Sequence, residues 1–148
     1  MQTFLPKADL IESLECLDRL RLGKQRVETF QLLVAAEDPW AWETRVRRTG
    51  NTKEPKGWKN HPAKTMWDGY TEALKLYYNY SIYEWIRRGY NNTMERAPVD
   101  ISAPMPPWFG DDKLHSSHRS NLLRKDSNYY SIYGWSEDTK QEYYWPTT

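Results

Sequence analysis

The sequence predicts an all-α protein: a single compact domain, residues 1–148, built on about three main helices with long connecting loops and an aromatic C-terminal tail. Three observations predict it. Apolar residues recur at helical spacing in three separated segments, Asp and Pro stand where helices should open and Gly where they should close, and no segment alternates apolar and polar residues as a strand would. The 148 residues suffice for one domain with a real core and fall short of two.

Each element follows in chain order. Residues 1 to 8 read as extended, because Pro6 disfavours helix at Leu5. Asp9 and Glu12 have the spacing of a capping box, opening a first helix that runs to about Leu17. Helicity, whether or not Gly23 interrupts it, continues through Ala36. In this stretch Arg21, Lys24, Gln25 and Glu28 share one face, with Val27, Phe30, Leu33 and Val34 on the apolar side. Residues 37–59 form a long connection with Pro39, Gly50, Pro55 and Gly57, helical in part around Trp40–Arg48 and carrying the basic run "RVRR". Pro62 at a first-turn position and Gly89 at the end bound a helix of about 26 residues, long enough at about 1.5 Å each to serve as the central core helix. Its packed stripe is Met66, Tyr70, Ala73, Leu74, Tyr77, Ser81 and Trp85. A proline-stiffened loop fills 90–109. Asp111 or Asp112 then caps a last helix, "KLHSSHRSNLLRKD", and the tail wraps back over the core.

Composition narrows the function. The formal net charge of +1 makes any nucleic-acid surface a local patch rather than a global field. Eight Trp and eleven Tyr against three Phe favour a core that opens onto wet, binding surfaces, since Trp and Tyr pair an apolar body with a polar edge. Trp58, Trp67 and Trp108 are candidates for an aromatic stacking surface, with core packing the plainer role for each. Cys16, the only cysteine, excludes an intrachain disulfide and reads as a small buried hydrophobe. The first ten residues lack a signal-peptide pattern and no apolar run reaches bilayer length, so the sequence predicts a cytoplasmic protein without membrane contact.

Of the three histidines, His115 and His118 stand at i, i+3. A zinc site would still need further ligands from a lone cysteine and a distant histidine, so no metal is expected. Nucleophile-elbow, Walker and dinucleotide motifs are absent, and no cofactor is expected. Basic residues instead recur in three places: Arg21, Lys24 and Arg26; Lys59, His61 and Lys64; His118, Arg119, Arg124 and Lys125. Their convergence on one face would make a phosphate-binding surface.

Taken in order, "LGKQRVE", "HPAKTMWDGYTEALKLYYNYSIYEWIRRGYNN" and "SSHRSNLLRKDSNYYSIYG" resemble the pyrimidine-dimer DNA glycosylases, the phage-type endonuclease V enzymes. The closest likeness is to a branch that begins "MQTFLP" and carries "HRSNLLRK"-like segments. The resemblance implies a bundle of three main helices. It also implies a bifunctional enzyme in which an N-terminal α-amine attacks the sugar C1′ and a helix glutamate assists β-elimination. An α-amine titrates near about 7.7–8.0, so part of it is neutral at physiological pH. The implied catalytic residues are Met1, through its α-amine, and Glu28. The DNA-binding candidates are Arg21, Lys24, Gln25, Arg26, His61, Lys64, His118, Arg119, Arg124 and Lys125. Family members begin with threonine after methionine removal. Here Gln2 follows Met1 and is too bulky for that processing, which leaves the Met1 amine, or a lysine such as Lys7 or Lys24, as nucleophile. The implied partner is damaged or modified double-stranded DNA, met by a monomer. A non-catalytic DNA-binding protein on the same fold and a small enzyme acting on free nucleotides are the competing readings.

Overall fold

The computed structural model describes residues 1–146. Among them there is no strand. The helices are α1 (Leu10–Glu15), α2 (Arg19–Ala35), α3 (Pro39–Thr49), α4 (Pro62–Thr65), α5 (Thr71–Arg87), α6 (Asp112–Lys125) and α7 (Ser127–Tyr130), followed by a 3₁₀ turn at Ser131–Tyr133. None is long and apolar enough to cross a membrane.

Local chemistry sets most of these boundaries. Asp9, Asp18, Asp38 and Asp111 each stand just before a helix, and their carboxylates accept from backbone N–H groups of the first turn. Such caps are worth about 1 kcal/mol apiece. Pro39 follows Asp38 at the start of α3, which ends at Gly50 with a left-handed φ of 72°. The connection after α2 is therefore helical over its first half and irregular over residues 50–59.

The segment expected to form one helix from Pro62 to Gly89 is divided. α4 ends at Thr65, and Trp67–Tyr70 make a turn in which Gly69 takes φ 81° before α5 begins. A continuous helix cannot pass through that conformation. The turn lets Trp67 enter the core, where its Nε1–H donates to Thr3 Oγ1 at 3.2 Å and its ring meets Trp108 edge-on at 4.9 Å. Trp108 in turn donates to Met66 O at 2.8 Å. Both tryptophans are buried. They hold the core together and have no face for a base.

α2 and α5 pack against each other, with α3 and α4 against α2 and α1 against α5. Gly23 explains part of the approach, because a Cβ there would lie 3.1 Å from the Trp85 ring. The buried stripe of α2 is rotated from the expected one. Val27 is 45 % exposed, while Leu22, Gln25, Thr29, Leu32 and Leu33 face inward. Two polar residues thus lie on the core side of α2: Gln25 is bonded to the N-terminal segment, and the Thr29 hydroxyl has no hydrogen-bond partner. Cys16 is buried as expected, and burial pushes its thiol pKa up.

The small polar residues of "HSSHRSN" on α6 hold the tail. Asn121 Nδ2 donates to Gln141 O at 3.1 Å, Tyr144 N to Ser117 Oγ at 3.1 Å and Gln141 N to Ser120 Oγ at 3.2 Å. The tail wraps the core and brings Tyr143 against Phe4 and His118, at ring separations of 6.4 and 5.8 Å.

Candidate active site

Residues 2–6 run extended through the protein interior, and side chains satisfy their backbone groups. Gln25 grips two of them, donating from Nε2 to Gln2 O at 2.8 Å and accepting at Oε1 from Phe4 N at 2.9 Å. The Tyr77 hydroxyl lies between Phe4 O at 2.8 Å and Gln25 Oε1 at 2.5 Å. Leu5 N donates to His118 Nδ1 at 2.8 Å, and Leu5 O accepts from His115 Nδ1 at 2.7 Å. Arg119 Nη1 donates to Pro6 O at 2.8 Å. A buried extended segment outside any sheet needs such donors and acceptors, because each orphaned group would cost about 1–3 kcal/mol. Gln25 of α2, Tyr77 of α5 and His115, His118 and Arg119 of α6 are therefore structural partners of the N-terminal segment.

Those bonds deliver Met1 to a cavity of about 210 Å³ lined by Met1, Gln2, Phe4, Leu20, Arg21, Lys24, Gln25, Glu28, Lys125 and Tyr143. α2 contributes Arg21, Lys24 and Glu28, α6 contributes Lys125, and the tail contributes Tyr143. Arg21 Nη1 is held by Asp18 Oδ1 at 3.2 Å, and Tyr130 donates its hydroxyl proton to the same oxygen. Burial alone would raise the Asp18 carboxyl, but the bonds from Tyr130 and Arg21 outweigh it and keep it low. Across Leu20, Lys24 and Glu28 lies a shallower groove lined also by Arg19, Gly23, Val27, Gln31 and Trp85.

The electrostatics follow from this crowding. Burial and the Glu28 carboxylate raise the Tyr77 phenol well above its ordinary value. Tyr143 is pushed up to about 12, chiefly by burial. Burial lowers Lys125, and Arg21, Arg124 and Lys24 lower it further against the opposing pull of Glu28. Burial and the charge of the N-terminal ammonium lower His61.

Of the candidates read from the sequence, Met1, Glu28, Arg21, Lys24, Gln25 and Lys125 line this cavity. The other candidates make contacts elsewhere in the protein. Gln25 and His118 are buried, Gln25 bonded to Gln2 and Phe4 and His118 to Leu5 through Nδ1, while His118 Nε2 has no hydrogen-bond partner; neither turns a polar atom to the surface. The same burial, with Leu5 N on Nδ1, makes His118 a structural residue and depresses its pKa to about 3. Arg119 is 17 % exposed and is engaged by Pro6 O, Asp112 at 3.1 Å and Glu137 at 2.9 Å. Arg124 donates to Thr139 O at 3.0 Å and to Asn121 Oδ1. Arg26 donates to Asn92 at 2.9 Å and lies 4.1 Å over the Trp85 ring. Lys64 pairs with Asp68 at 3.0 Å, and His61 caps α4 by accepting from Ala63 N at 3.0 Å. Lys7, the alternative amine, is exposed and is not among the residues lining the cavity.

Gln2, Phe4, Leu20 and Tyr143 complete the lining and carry no motif. The apolar start of the chain and the aromatic tail were the only signals for them. No group of three or more His, Cys, Asp or Glu side chains among the described residues is placed to hold a metal ion.

No curated protein and no solved structure matches the chain. A family model described as "Pyrimidine dimer DNA glycosylase" matches residues 1–97, a span that holds Met1, α1 to α5 and Glu28. On that match the chain belongs to the pyrimidine dimer DNA glycosylase family.

Proposed function

We propose that the protein is a DNA repair glycosylase with AP-lyase activity, acting as a monomer on a damaged or modified pyrimidine in double-stranded DNA. The observation that carries the reading is the shared cavity: Met1 and Glu28 line it together with Arg21, Lys24 and Lys125. The neutral Met1 amine attacks C1′, and the glycosidic bond breaks with its electron pair leaving on the base, which takes up a proton. Loss of a proton from nitrogen and opening of the sugar ring give an imine between Met1 and C1′. Glu28 then removes a proton from C2′, the 3′ C–O bond breaks, and its electrons depart with the phosphate. Water hydrolyses the imine and frees the amine.

Arg21, Lys24 and Lys125 suit the phosphates flanking the reacting sugar, since all three cations come from the walls of one cavity. The locking of residues 2–6 supports the same reading, because a nucleophile acts best when its position is fixed before the substrate arrives. The test is incubation of the full chain with duplexes bearing ultraviolet dimers, uracil, abasic sites and modified pyrimidines, with borohydride present. A covalent adduct and strand cleavage on at least one lesion are expected. Absence of both on all of them would refute the reading.

A further inference from the structure

We infer that the Lys125 side chain is a second imine-forming amine of the site, acting on abasic sites whose base is already gone. This rests on the glycosylase and lyase reading above and extends it to a residue beyond the family match, which ends at residue 97.

Lys125 is the last residue of α6 and enters the cavity from the wall contributed by α6, whereas Glu28 comes from α2. Its neighbour Arg124 is bound to Thr139 O and Asn121, while Lys125 makes no ion pair among the described residues. Lys24 differs in place: it stands on the ridge shared with the outer groove, which Lys125 does not line. Partial burial lowers the Lys125 ammonium first, and Arg21, Arg124 and Lys24 lower it further against the opposing pull of Glu28, a net bias toward the neutral, nucleophilic amine.

An intact nucleotide demands a nucleophile aligned behind the glycosidic bond. An abasic site asks for less, because its ring-opened form is an aldehyde that any neutral amine within reach attacks. Lys125 Nζ adds to C1′ of that aldehyde, and the carbinolamine loses water to give the imine. Glu28 takes the C2′ proton and the 3′ phosphate leaves with the C–O electrons. Hydrolysis returns the lysine. No oxidant, reductant or cofactor is required.

The experiment uses abasic duplex, borohydride and saturating protein, with adduct peptides mapped by mass spectrometry. The unmodified chain should yield adducts at Met1 and at Lys125. A chain extended by a few residues before Met1 should keep the Lys125 adduct, and Lys125→Arg in that background should lower it at least tenfold. Arginine keeps the charge and cannot form the imine, and a circular dichroism melt establishes that the variant is folded. Trapping by the unmodified chain at Met1 alone, with none by the extended chain, overturns the role of Lys125 and leaves the Met1 reading standing. Adducts at Lys7 or Lys24 in place of Lys125 overturn it as well. No adduct with either chain overturns both readings.

Discussion

Gln25 holds the backbone of Gln2 and Phe4 at once, giving Nε2–H to Gln2 O at 2.8 Å and taking Phe4 N–H at Oε1 at 2.9 Å. A side chain that reads as part of a charged helix face is therefore the clamp that sets where Met1 goes. Gln25→Leu keeps the volume and orphans two backbone groups, each worth about 1–3 kcal/mol. The expected result is a loss of roughly 2–4 kcal/mol in denaturant unfolding, with lesion cleavage reduced more than DNA affinity. Unchanged stability would mean that the N-terminal segment is held by other bonds.

Glu28→Gln tests the proton transfer. The substitution keeps size and removes the base, so single-turnover nicking at saturating protein should fall by about 10²–10⁴. The melting temperature should stay near that of the unmodified chain, since Glu28 makes no ion pair among the described residues. Nicking at the unmodified rate would take Glu28 out of the reaction.

His118 gives a pH signature. Its folded pKa of about 3 lies well below the ordinary histidine value, so at mildly acid pH the unfolded chain binds a proton that the folded chain does not. Its contribution to stability is present above about pH 6.5 and falls with pH toward 3, at about 1.4 kcal/mol per pH unit. Melting temperatures from pH 7 to 4 should drop steeply, and the drop should shrink in His118→Gln. Equal slopes in the two proteins would contradict the buried neutral imidazole.

Salt dependence separates binding cations from structural ones. About four to six phosphate contacts predict a log–log slope of roughly −4 to −5 for DNA affinity. Lys24→Ala should lower its magnitude by about one. Arg119→Ala should leave the slope alone and lower the melting temperature, because Arg119 is held by Pro6 O, Asp112 and Glu137. Fluorescence anisotropy across a salt series, beside a thermal melt, reads both.

Helix class and several boundaries were legible because the caps at Asp9 and Asp111, Pro62 and the terminal Gly89 act locally. The division between α4 and α5 was not, since it depends on Trp67 reaching Thr3, 64 positions away. The site was legible in part for the same reason. Arg21, Lys24 and Glu28 lie on successive turns of one helix and announce themselves as a face. The inward roles of Gln25 and His118 depend on the N-terminal segment held between α2 and α6, which helical periodicity cannot encode.

The central claim is that the amine of Met1 and the carboxylate of Glu28 work on one sugar. Its most direct test is borohydride trapping on duplex DNA carrying a single cyclobutane pyrimidine dimer, with the adduct located by peptide mapping. The predicted adduct on this intact lesion is at the Met1 nitrogen, abolished when residues are added before Met1 and retained when they are added after Thr148. An adduct at a residue outside the cavity, such as Lys7, or dimer trapping that survives the N-terminal extension undiminished, would contradict it.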